Sequence, residues 1–203
     1  MLILLLACSS AEEDAAGLAG TISLPDIDGE GTVAIQSAYG LAQDGQFIAY
    51  LSSVPDVGCE EMVTYLTPGS NTDDPSGIFS GDHCNLFMSL PDWSDGFSAT
   101  DDPVALAGFS ITCTLGDGAF VYEERDSGDE DYYWSGQHWQ GHPDLYDLTI
   151  TPSEGSYAMA MEMTGFSGTL IYEGFETYTG TGTVSGEQEL TECADFSTLH
   201  DIY

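Results

Sequence analysis

His138-Trp139-Gln140-Gly141-His142 holds two imidazoles four residues apart. On a helix that spacing sets both rings on one face, where they could share a zinc ion with Asp144 or Asp147 as a third ligand. Two features argue against it. No glutamate follows the first histidine, so the helical metalloprotease pattern is missing. Gly136, Gly141 and Pro143 disfavour a helix, so a solvated loop is the expected setting and no metal site is assigned.

The same stretch carries Tyr132, Tyr133, Trp134, Trp139 and Tyr146. Aromatics beside carboxylates and amides can stack on the apolar face of a sugar ring, and they also anchor protein interfaces. The leading reading is plainer. Each can bury roughly 150–250 Å² and cap one end of a core. The candidate ligand-binding set is Tyr133, Trp134, His138, Trp139, His142 and Tyr146.

Other chemistry finds little support. No Gly-x-Ser-x-Gly elbow is present, and lysine is absent altogether. His83, between Asp82 and Cys84, reads as a turn residue entering a strand rather than a base. Asp26-Ile27-Asp28-Gly29-Glu30-Gly31 resembles the start of a calcium loop, but Ser37 stands where the bidentate glutamate is needed. Asp73-Asp74, Asp101-Asp102 and Asp129-Glu130-Asp131 could hold calcium loosely. With 35 acids, choosing any pair as glycosidase carboxylates means little, and no catalytic residue is assigned.

Charge narrows the partners. Against those 35 acids stands a single cation, Arg125, for a formal net charge of −34. Nothing in the chain can neutralise phosphates, so nucleic acid is excluded as a direct partner. With 42% of residues apolar and 11% aromatic, the chain is a folding one rather than a disordered one. Self-repulsion must still weaken the compact state. Salt shortens the screening length from about 8 Å at physiological strength to about 3 Å at 1 M. The melting temperature is therefore expected to rise with added sodium chloride or calcium, and a flat response in a thermal melt would contradict this.

The elements that must position these groups are mostly strands. Residues 32–39 set Val33, Ile35, Ser37 and Tyr39 on one face, and residues 46–52 follow after Asp44-Gly45 as a hairpin partner. Cys84, Leu86, Met88 and Leu90 alternate, as do Phe109, Ile111, Cys113 and Leu115. Tyr157, Met159, Met161 and Met163 share one side of a strand, opposite Ala158, Ala160 and Glu162. Residues 166–172 and 178–186 read as two further strands. One helix is expected at about 57–67, with acids in its first turn and Pro68-Gly69 as its stop. Residues 92–103 read as a loop, and residues 126–144 as the longest irregular segment. Gly-Phe-Ser-x-Thr recurs at Gly96, Gly108 and Gly165 with no fixed period, as a reused entry from turn to strand.

The N-terminus sets the compartment. Leu5-Leu6-Ala7-Cys8 resembles the lipobox of bacterial lipoproteins, in which the cysteine takes the lipid. The resemblance implies a signal remnant at 1–7 and a lipidated cysteine with an acidic tether at 8–16. One β domain would fill residues 17–203. No basic n-region precedes the apolar run, so the true start is expected upstream. Ser9 after the cysteine resembles the outer-membrane class. Setting Cys8 aside leaves Cys59, Cys84, Cys113 and Cys193, which an oxidising compartment would join in two disulfides. Of the three connectivities, Cys59–Cys84 with Cys113–Cys193 is the expected one, and the others stay open.

The wider pattern resembles a group of secreted β-rich bacterial lipoproteins of unassigned function. It rests on Leu5-Leu6-Ala7-Cys8, on Cys59 in its helix, and on Thr164-Gly165-Phe166-Ser167-Gly168 through Val184-Ser185-Gly186 to Cys193. The group implies no activity. The expectation is an all-β, antiparallel, sandwich-like or barrel-like domain with one short helix and two disulfides. It would be an envelope or surface lipoprotein, anchored to the outer membrane through lipid on Cys8, with a non-catalytic binding or structural role. A carbohydrate-binding module using residues 132–146 is the alternative, and a glycan-active hydrolase ranks third. No cofactor is expected beyond loosely bound calcium.

Overall fold

The computed structural model describes residues 17–23, 30–66, 82–100, 109–124, 130–170 and 176–199. The lipobox, the tether, the stretch 24–29 and the acidic pairs at 73–74 and 101–102 lie outside them.

Ten strands form one curled sheet. They are β1 (Ala19–Ser23), β2 (Glu30–Ala34), β3 (Ser37–Gln43), β4 (Gln46–Ser52), β5 (His83–Leu90), β6 (Phe97–Thr100), β7 (Ser110–Glu124), β8 (Glu130–Ser153), β9 (Ser156–Leu170) and β10 (Glu176–Glu192). Helix α1 (Cys59–Leu66) and a 3₁₀ turn (Ala194–Thr198) complete the described elements. The order is β2-β1-β10-β3-β4-β5-β7-β8-β6, with β9 joining β8 to β10. All pairings are antiparallel except a two-residue parallel contact, in which Thr191 and Glu192 of β10 meet Tyr39 and Gly40 of β3. That contact brings the curled sheet back on itself. The all-β, antiparallel, barrel-like architecture follows from the alternation in the sequence.

The cleanest alternation gives the cleanest result. Tyr157, Met159, Met161 and Met163 are buried in the concave core, while Ala158, Ala160 and Glu162 are exposed. Phe47, Ala49 and Leu51 of β4 meet them from across the curl. Phe47 stacks on Trp93 at 4.6 Å between centroids and meets Tyr157 edge-on at 4.9 Å. The β3–β4 hairpin turns on Asp44 and Gly45, both at positive φ (51° and 82°). That is the type I′ geometry which suits the twist of two strands and favours glycine.

A second, smaller core lies on the outer face of β3 and β4. Leu41, Ile48 and Tyr50 are covered there by Val57, Met62, Phe196 and Leu199. Strand β4 is thus buried on both sides, which explains its unbroken apolar run from Phe47 to Leu51. Helix α1 begins with the Gly58 amide donating to the Glu61 carboxylate at 2.8 Å, half of a capping box. Its described span, Cys59–Leu66, lies within the stretch expected at about 57–67.

The disulfides pair differently from expectation. They are Cys59–Cys193 and Cys84–Cys113. Cys84 and Cys113 stand directly opposite each other on β5 and β7, with Cα atoms 4.1 Å apart. Their burial on the inner face follows from the alternation, but opposition across strands requires register, which a single sequence does not give. Cys59 instead reaches Cys193, tying α1 to the segment that follows β10.

Four segment boundaries also change. The strand expected over 32–39 breaks at Ile35-Gln36. There the Ile35 amide donates to the Leu18 carbonyl and the Gln36 amide to the Ser52 carbonyl, so the chain leaves one pairing for another. The loop at 92–103 contains β6, whose residues 97–100 pair with β8. Residues 130–144, expected to be irregular, belong to β8, while 126–129 lie outside the described residues. The strand expected from Phe166 continues the one from Tyr157 as a single β9. Gly-Phe-Ser-x-Thr opens β6 and β7 as expected, but its third copy sits inside β9.

Candidate functional site

All six expected ligand-binding residues lie on β8, and the strand does not gather them. Tyr133 stands opposite Val121, Trp134 opposite Phe120, His138 opposite Thr114, and Trp139 between Cys113 and Leu170. His142 pairs with Ser167 and Tyr146 with Met163. Alternation places Trp134, His138 and His142 at positions on one face and Tyr133 and Trp139 on the other. Tyr146 is 4% exposed within the main core. His138 and His142 are four residues apart on a strand, about 13 Å along its axis, too far for one ion to bridge.

The face that β8 buries changes at Asp144-Leu145, two successive exposed residues before Tyr146 turns inward. β9 switches at the same level. Gly165, at φ +61°, lies between the buried Met163 and Phe166. Asp144 accepts a 2.7 Å hydrogen bond from the Ser167 hydroxyl. A Cβ on Gly165 would fall 2.6 Å from the Asp144 carboxylate. Gly165→Ala is therefore expected to cost about 1–2 kcal/mol in urea unfolding, from the left-handed backbone and the clash together. A neutral result would contradict this account of the switch.

Beyond the body of the sheet, residues 115–124 of β7 and 130–137 of β8 pair only with each other among the described residues. They make a two-stranded ribbon on which Phe120 stands opposite Trp134 and Tyr122 opposite Tyr132.

His83 is the first residue of β5 and is buried, not a turn residue. It stands opposite the buried Thr114. Beside it the Ser52 hydroxyl donates to Asn85 Oδ1 at 2.6 Å. Among the described residues no group of histidine, cysteine or acidic side chains converges to hold a metal ion.

The feature that residue types alone do not show is a surface. The outer face of β3 and β4 is closed by α1 and the 3₁₀ turn, whereas among the described residues no element covers the outer face of β8, β9 and β10. Register builds it row by row. Thr149, Ala160 and Glu187 lie side by side, then Thr151, Ala158 and Glu189, and then Asp147, Glu162 and Ser185. Every one of these nine residues is exposed. Six of them, Thr149, Thr151, Ala158, Ala160, Glu187 and Glu189, line a groove of about 660 Å³ together with Gly17. A second depression of about 270 Å³, lined by Asp147 and Glu162, shares Thr149 and Ala160 with it.

Asp147 and Glu162 stand directly opposite each other, an arrangement that costs stability rather than adding it. Nothing in the fold requires carboxylates there. The alternation of Ala158, Ala160 and Glu162 marks the exposed side of β9 in the sequence. The glutamates of β10 that complete the face come into view only with register. Compared with protein-family models, with curated proteins and with solved structures, the chain matches none.

Proposed function

We propose that this chain is a bacterial lipoprotein, held at the outer membrane through lipid on Cys8, that binds an envelope partner without catalysis on the open face of β8, β9 and β10. The observation that supports it is a groove on three long paired strands that no described element covers. Strand-borne sites hold their geometry better than loops, which suits recognition. The lipid anchor rests on Leu5-Leu6-Ala7-Cys8 and the acidic tether that follows it. No helix among the described residues is long and apolar enough to cross a membrane.

Two measurements test the reading. Mass spectrometry of the mature N-terminus should find acyl chains on Cys8, and an unmodified Met1 would overturn the anchor. A photo-crosslinking amino acid placed at Ala160 in intact cells should give a partner adduct, while the same group at Thr64 on α1 should not. Adducts at neither position, or equally at both, would overturn the binding face.

A second reading, glycan binding, is favoured by the aromatic pairs of the β7–β8 ribbon. Under it, Trp134→Ala, within the ribbon, removes the signal on a glycan array. No signal from the parent protein on any glycan retires it.

A further inference from the structure

We propose that the open face docks an extended protein segment carrying lysine or arginine at alternate positions. This rests on the reading of that face as the binding surface and names its partner.

Charge complementarity carries the first step. The ionisable residues lining the two joined depressions are Asp147, Glu162, Glu187 and Glu189, all acids. A second copy of this chain is excluded as the occupant, because it would bring 35 acids and one cation to an already acidic face. Polyanions are excluded on the same ground.

Geometry carries the second step. Glu187 and Glu189 are neighbours on one face of β10, about 7 Å apart, which is the repeat of alternate side chains in any extended chain. The row of Asp147 and Glu162 lies one such step further along. A basic segment lying along the strands would meet a carboxylate at each step. Between the acids the floor is Ala158 and Ala160, small enough for a second backbone to approach. A lone divalent ion fits less well. The acids are spread over three rows, and no set of them converges among the described residues.

Chain length carries the third. Gly17, the first described residue, lines the groove. Eight residues, 9–16, separate Cys8 from it, so that nine steps of chain reach about 30 Å at full extension. A lipid on Cys8 would therefore keep the groove near the membrane, within range of the basic segments of other envelope proteins.

The test uses the full-length lipidated protein in detergent at 0.15 M sodium chloride, with fluorescent ten-residue peptides. An alternating lysine–threonine peptide should bind at least tenfold tighter than its isomer with five lysines followed by five threonines. Glu187→Gln with Glu189→Gln should weaken the alternating peptide at least fivefold. Glu60→Gln with Asp195→Asn, which removes the same charge on the covered side, should weaken it less than twofold. Equal binding of the two peptides, equal weakening by the two double variants, or no binding would each overturn the proposal. So would calcium at a few millimolar displacing the peptide while magnesium does not, the mark of a selective cation site. A crosslink through position 160 without preference for the alternating peptide would sink this inference alone. Loss of the crosslink would sink the binding face beneath it.

Discussion

Replacing Cys59 and Cys193 with alanine is expected to lower the unfolding free energy by about 3–5 kcal/mol and the melting temperature by roughly 10–15 °C. The two residues are 134 positions apart in sequence. A bridge over so long a loop removes much freedom from the unfolded chain, about 5 kcal/mol on the chain-entropy relation. Cys84 and Cys113 are separated by 29 residues, for which the same relation gives about 3.5 kcal/mol. The longer bridge should therefore matter more, even though the shorter one is better buried. It also holds the cover of the second core in place. Helix α1 has two turns, and its described side chains set Met62 in that core with Cys59 and Val63 partly buried beside it, next to Ile48 and Tyr50. The double variant should bind more of a hydrophobic dye before the main transition. Urea unfolding and calorimetry check the ordering. A loss below 1 kcal/mol, or a larger loss from removing Cys84–Cys113, would contradict it.

Phe47→Ala is expected to cost about 3–5 kcal/mol, among the largest effects of any single substitution. Phe47 is fully buried and sits where β4 meets β9 across the curl. Its ring touches both Trp93 and Tyr157, so truncation leaves a cavity lined by two large rings that cannot collapse into it. The Tyr157 hydroxyl is tied to the Ala42 amide at 3.0 Å, which holds that ring in place. Phe47→Leu should cost less, about 1–2 kcal/mol, because it refills part of the space. Chevron and equilibrium data on the two variants check the difference. Equal costs would mean that refilling the volume recovers nothing, and would contradict the cavity as the source of the loss.

What the sequence made legible was mostly what alternation can carry. Strand β9 reads directly from Tyr157 to Met163, because its inner side is wholly apolar and its outer side small or charged. Helix α1 reads from its acids and its apolar stripe. The disulfide pairing, the split at Ile35-Gln36 and the strand within 130–144 did not read, and for one reason. Each depends on which strand lies beside which. Residues 130–144 carry glycines, a proline and interleaved polar and aromatic residues, a local composition that favours a loop. Pairing with β7 on one edge and, from Trp139 onward, with β9 on the other overrides it. The same limit applies to the candidate site. The aromatics of β8 are close in sequence but divided between faces by the strand's own period. The carboxylates of the open face are far apart in sequence and brought into rows by register.

A binding surface on the outer face of β8, β9 and β10 requires that this face take no part in holding the fold together. Ala160 lies at its centre, between Thr149 and Glu187. Urea unfolding of Ala160→Trp measures this. Surface changes away from packed features stay within about 0.5 kcal/mol, and tryptophan suits a strand, so that is the expected result. A loss of about 2 kcal/mol or more would show that this face is packed in the folded protein, and the binding surface built on it would fall.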